Sequence, residues 1–341
     1  MLLRSNKIIF MITLLILPLA VIVLSLFIGR YAISIKEVVA VFSNLAGLYD
    51  IRVSHETFTV IVYLRLPRAI AAAFIGGGLA CSGAAFQGVF RNPLVNSGLL
   101  GVSSGAAFGA ALSIILFGVT YYIYGFAFLF GIIAVGASYW VAMIYRSVQT
   151  IMLILGGIIV SSLFGALLTL LKYLADVNDQ LPAIVYWLMG SVAAVDYADF
   201  WALIPIVAGI TVILFYGWQI NVLSMGDKEA RTLGVNVKQS RIVIIAAATL
   251  CTAGAVCISG TIGWVGLVIP HIGRMLVGND NRRLLPVSIS IGAAFMVAID
   301  ALSRSLSTGE IPLGILTAII GAPFFIFLLK KTKGGGWAGW N

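Results

Sequence analysis

The chain has 341 residues, 61% of them hydrophobic and only 10% charged, and 21 Lys/Arg against 12 Asp/Glu leave a formal net charge of +9. Soluble domains carry roughly 25% charged residues, so this composition excludes an ordinary water-soluble enzyme and points to a polytopic membrane protein. A soluble chain of this length would divide into two domains, but no polar linker breaks the apolar pattern. Residues 1–341 therefore read as one all-α transmembrane domain.

A membrane helix needs about 20 apolar residues, and an ionised side chain at bilayer depth costs roughly 2.5–3.5 kcal/mol. Cutting the chain at charges, prolines and Gly/Asn turns predicts ten spans near 8–29, 69–90, 94–117, 123–145, 150–172, 200–218, 242–260, 261–277, 284–303 and 311–330. The first is a 22-residue uncharged run after Arg4 and Lys7, too long for an ordinary signal-peptide core, and is read as a retained span. Between Arg91 and Arg146 lie 54 residues without a charge, enough for two helices and a tight turn. Pro67, Pro93 and Pro312 stand in or just before a first turn, where a missing N–H costs nothing. Residues 176–198 are too interrupted to span and predict a short re-entrant or interfacial helix carrying Tyr186 and Trp187.

With the N-terminus in the cytoplasm, ten spans place both termini and fourteen Lys/Arg against three acids on the cytoplasmic side. The other side holds seven cations and nine acids. That asymmetry follows the positive-inside rule, so the basic balance reports topology and gives no support for a nucleic-acid partner.

Glycine is abundant, at 37 residues. Gly101, Gly105 and Gly109 repeat every fourth position, and Gly76, Gly77, Gly78 and Gly83 stud another span. Such spacing suits close helix packing in lipid, with a dimer contact as the second reading. The segments 71–83 and 246–260 resemble each other weakly and lie five spans apart, as an inverted repeat requires. Cys81, Cys251 and Cys257 sit inside apolar runs without metal-ligand spacing and predict neither a disulfide nor a metal site.

Catalytic signals are missing. No phosphate-binding G-x-x-x-x-G-K-[ST] loop, no nucleophile elbow and no His/Cys/carboxylate cluster occurs, and His55 and His271 fall on opposite predicted sides. Asp300 is the nearest thing to a charge at depth, and Arg304 one turn on is expected to neutralise it. A proton-coupled carrier usually keeps an ionisable group at depth, which disfavours the ion-coupled secondary transporter that stands as the alternative class. The polar segment 219–241 remains. Its Met225–Leu233 stretch predicts a short amphipathic helix with Met225, Ala230 and Leu233 on one side, stopped by Gly234.

Two long stretches carry a specific resemblance. They are LRLPRAIAAAFIGGGLACSGAAFQGVFRNPLVNSGLLGVSSGAAFGA at 64–110 and SGTIGWVGLVIPHIGRMLVGNDNRRLLPVSISIGAAFMVAIDALSRSLSTGEIPLGILTAIIGAPFFIFLLKK at 259–331. With RLPR, Q-x-x-x-RNPL, GLVIPH-x-x-R, E-x-P-x-G and IGAPFF in this order, the chain resembles the permease subunits of type II ABC importers, which take up ferric siderophores, haem and cobalamin. The resemblance implies a homodimer of ten-helix subunits with the pathway between protomers. It also implies two cytoplasmic ATP-binding subunits, an extracytoplasmic substrate-binding protein, and no cofactor in the permease itself, ATP and Mg being held by the partners. It gives Arg65, Arg68 and Arg304 the look of outward-facing residues that dock the binding protein. Gly226, Glu229, Ala230, Leu233 and Gly234 match the loop seated on the ATPases, and Gln149 and Thr150 fall where related permeases place a cytoplasmic gate. The cargo expected is a ferric siderophore, with haem, cobalamin or molybdate as alternatives.

Overall fold

The computed structural model describes residues 7–48, 51–144, 150–307 and 309–332. Fourteen helices account for most of them, and no strand occurs among the described residues. They are α1 (Lys7–Ser25), α2 (Ile35–Leu45), α3 (His55–Phe90), α4 (Val102–Phe117), α5 (Tyr122–Ile144), α6 (Thr150–Leu174) and α7 (Gln180–Met189). After these come α8 (Tyr197–Phe215), α9 (Gly217–Met225), α10 (Asp227–Thr232), α11 (Val237–Ser259), α12 (Val265–Val277), α13 (Asn281–Leu306) and α14 (Leu313–Thr332).

Each of the ten expected spans has a helix, and the short helix expected within 176–198 is α7. Three helices form the centre. The most apolar windows of α3, α11 and α13 are 83%, 78% and 72% buried, whereas those of α5, α6 and α8 are 33% or less. An apolar helix with most of its surface uncovered suits lipid or a second apolar partner and would be costly in water.

Small residues explain how the central helices come together. A Cβ on Gly292 of α13 would lie 2.5 Å from the Gly76 carbonyl oxygen of α3, and one on Gly105 of α4 would lie 2.6 Å from the Ala134 Cβ of α5. Gly109 likewise sits against the Phe126 backbone. The glycine faces therefore pack helices within one chain.

Two helix starts and one additional helix depart most from expectation. Helix α3 begins at His55, capped by the Ser54 side chain on the Thr57 N–H, so Pro67 lies inside a continuous helix rather than at its start. A wider π-helical turn over Thr59–Arg65 precedes that proline; such turns relieve the clash of a proline ring with the preceding turn. Helix α4 starts at Val102, because Asn92 and Asn96 fold the 91–101 connection by accepting the Leu94 and Gly98 N–H groups. Helix α2 was not expected at all. Its capping box pairs the Ser34 hydroxyl with the Glu37 N–H and the Glu37 carboxylate with the Ser34 N–H. Those backbone and side-chain bonds from Ser34 hold the Glu37 carboxyl below its usual value.

Candidate functional site

Two groups of polar residues occupy opposite ends of the bundle. At one end, here the arginine end, α1 finishes, α3 begins and α13 finishes. Arg68 on α3 holds two carboxylates at once. Its Nε and Nη2 donate to Asp300 Oδ1 at 3.1 and 2.8 Å, and its Nη1 and Nη2 donate to Glu310 Oε1 and Oε2 at 3.1 and 3.0 Å. Arg304, one turn beyond Asp300 on α13, lies 3.4 Å from Asp300 Oδ2 through Nε and donates from Nη2 to the Ser25 carbonyl at 2.9 Å. Arg65 donates to the carbonyls of Leu26 and Tyr31. Arg30, from the α1–α2 connection, donates to the Ser307 carbonyl.

Arg65, Arg68 and Arg304 are thus 4%, 7% and 5% exposed. The sequence expectation of outward-facing side chains is corrected here: these guanidiniums turn inward and tie the end of α1 to α3 and α13. Sequence reasoning paired Asp300 with Arg304 but missed Arg68 and Glu310, because 232 and 242 residues separate Arg68 from its two acids. Burial tends to raise the Glu310 carboxyl, but the Arg68 bonds outweigh it and hold that group below the usual carboxylate range. A cavity of about 450 Å³ opens at the same end between α4, α5, α7 and the end of α11, with Tyr124, Tyr186, Trp187 and Asp199 in its wall.

The other end, the loop end, carries α9 and α10. Met225 closes α9, and Gly226 then turns the chain in a conformation (φ 139°, ψ 158°) open to glycine alone, so no single helix runs from 225 to 233. A Cβ there would also lie 3.1 Å from the Glu229 carboxyl carbon and 3.6 Å from Arg91 Nη1. Ala230 is fully buried, while Met225 and Leu233 are 64% and 53% exposed. The three therefore do not share a face, contrary to the amphipathic pattern expected. Gly234 does stop the helix. At φ +79° its N–H bonds the Arg231 carbonyl, and the Val235 N–H bonds that of Ala230.

Helices α9 and α10 are each anchored to the central bundle. Arg241 Nη2 on α11 reaches Asp227 Oδ1 at 2.8 Å. Asn221 on α9 donates to Asp280 Oδ1 at 2.6 Å and accepts the Asn281 N–H at 2.7 Å. Gln87 near the end of α3 is buried, donating to the Val95 and Gly266 carbonyls and accepting from Arg274 Nη2 at 2.6 Å. That arrangement gives the Q-x-x-x-RNPL and GLVIPH-x-x-R motifs a joint structural role. Gln149 lies outside the described residues, and Thr150 opens α6. No metal-holding cluster of His, Cys, Asp and Glu occurs among the described residues.

A bundle of long apolar helices with its charged clusters gathered at two ends is the architecture of a multi-pass membrane protein. The chain belongs to the FecCD transport family, whose profile matches residues 14–331, and it is accordingly an ABC-type permease. It is 42% identical to the molybdate import system permease protein MolB of Haemophilus influenzae over 97% of both chains. It is also 42% identical to the cobalamin import system permease protein BtuC of Halobacterium salinarum, over 82% of this chain and 75% of that one. Among solved structures, a metal-chelate type ABC transporter in an inward-facing conformation matches at a TM-score of 0.83 and 40% identity, covering 94% of this chain and 98% of the other.

Proposed function

We propose that this chain is the membrane subunit of an ATP-driven importer for an iron chelate. Two copies line the conduit, two ATP-hydrolysing subunits seat on the loop end, and a substrate-binding protein docks on the arginine end. The observation that carries this reading is the placement of α10. It presents Glu229 and Leu233 outward while the buried Ala230 and the Asp227–Arg241 ion pair fix it to α11, one of the central helices. A partner that pushes on such a helix moves the bundle with it, because the anchor runs directly into α11.

Lys228, Arg231 and Lys238 cluster at this end, so the positive-inside rule puts it in the cytoplasm, where ATP is. The pathway needs no tight ligand site of its own. Alternate opening to the two sides, driven from α10 and gated near Gln149 and Thr150, is enough to move cargo released by the binding protein.

The kinship to a metal-chelate type transporter across nearly the whole chain supports an iron chelate. Molybdate is the second reading, favoured by the full-length relative of that name. The test is a reconstituted complex with its cognate binding protein, titrated with ferric siderophores, haem, cobalamin and molybdate. The iron-chelate reading expects ATPase stimulation by a ferric siderophore and none by molybdate; the reverse pattern overturns it.

A further inference from the structure

The charges at the arginine end do not balance. Arg65, Arg68 and Arg304 are all buried, Arg65 lies close enough to the other two for mutual repulsion, and the carboxylates that pair with the cluster are Asp300 and Glu310. Buried cations short of counter-charge are costly, and the shortfall shows at particular atoms. Arg304 Nη1 is buried without a hydrogen-bond acceptor, and Arg304 Nε meets Asp300 Oδ2 only as a loose ion pair at 3.4 Å.

The two acids are held differently. Asp300 sits on α13 with a fully buried side chain, whereas the Glu310 side chain is 32% exposed on the α13–α14 connection. Glu310 also takes a positive φ of 28°, where a residue with a Cβ is strained. It nonetheless fills a fork of the Arg68 guanidinium with both oxygens, the geometry in which arginine binds any planar carboxylate.

We propose that Glu310 is an internal placeholder, occupying the seat on Arg68 that a carboxylate of the substrate-binding protein takes when it docks. This rests on the reading that the arginine end is the docking face. An incoming carboxylate gains the Arg68 fork and the unused Arg304 Nη1 donor. Glu310 swings out to solvent with its connection and sheds the backbone strain. The exchange keeps two carboxylates on the buried guanidiniums in both states and makes docking a competition between two acids.

The test measures the affinity of the cognate binding protein for the complete transporter in nanodiscs of neutral lipid and, in parallel, of anionic lipid. Glu310→Gln is expected to lower Kd by about tenfold, and Glu310→Asp, which keeps the charge but loses reach, by a smaller factor. Arg68→Gln is expected to raise Kd by about tenfold or more and to erase the effect of Glu310→Gln in the double variant. Glu310→Asp carries the test if Glu310→Gln fails to fold by melting temperature. An unchanged or higher Kd for the folded Glu310 variants, with Arg304→Gln still weakening binding, overturns the placeholder and leaves docking standing. Unchanged Kd for both Arg68→Gln and Arg304→Gln overturns docking itself. A Glu310 effect seen only with anionic lipid assigns the seat to a headgroup and also overturns the proposal.

Discussion

Gly83 of α3 and Gly266 of α12 meet backbone to backbone: a Cβ on Gly83 would lie 2.6 Å from the Gly266 carbonyl carbon. Neither main chain can yield without disturbing a central helix, so Gly83→Ala should destabilise by about 1–3 kcal/mol or more through overpacking. Gly125 on α5 has nothing within 4 Å of its would-be Cβ. Gly125→Ala should be neutral or stabilise by up to about 1 kcal/mol. Melting temperatures in detergent check the pair, and equal values for the two variants would count against the packing described.

Gln87 is the hinge of a buried polar knot between α3, the 91–101 connection and α12. Replacing it by the similarly sized Gln87→Leu leaves the Val95 carbonyl and the Arg274 guanidinium without a partner. The loss should be roughly 1.5–3 kcal/mol, as for a hydrogen bond to a charged group. Denaturation of the purified permease reads it directly, and Gln87→Glu, which keeps an acceptor for Arg274, should recover part of it.

The loop end separates structural residues from contact residues. Leu233→Asp alters an exposed side chain and should leave the melting temperature unchanged while reducing co-purification of the ATPase subunits severalfold. Ala230→Asp buries a charge and should lower the melting temperature by itself. Gly234→Ala has open space around it but a left-handed backbone, so it should cost about 1–2 kcal/mol through strain alone. Full ATPase recovery with Leu233→Asp would remove that residue from the contact.

Acid should weaken the Asp280 anchor. Burial tends to raise this carboxyl, but hydrogen bonds from Arg282 and Asn221 outweigh it, so its folded pKa lies below the unfolded value of about 3.9. A depressed folded pKa contributes stability that is present above the unfolded value and lost as pH falls through the folded one. The gap in melting temperature between wild type and Asp280→Asn should therefore be full at neutral pH and close below about pH 4. A gap independent of pH would contradict the ionised anchor.

Much of this architecture is legible in the sequence, because a charge-free run of about 20 residues has few homes other than a bilayer. Helix ends are less so. The start of α3 at His55 is hidden by Pro67, which reads as a helix start but is absorbed by a wider turn. Helix α2 could have been found from Ser34 and Glu37, which stand at capping-box spacing before an apolar pattern of helical period. The direction in which Arg65, Arg68 and Arg304 point could not. A basic residue near a helix end reads as exposed until its partners are known, and here those partners lie in distant helices. Position 226 shows the opposite case: the glycine is visible, but only the fold reveals that it breaks one helix into two.

The central claim is that this permease moves solute only when driven by separate ATPase subunits. The direct measurement is solute uptake into proteoliposomes holding the permease alone or with ATPase subunits, binding protein and ATP. Accumulation is expected only in the complete system. Accumulation by the permease alone under a proton or sodium gradient would contradict it.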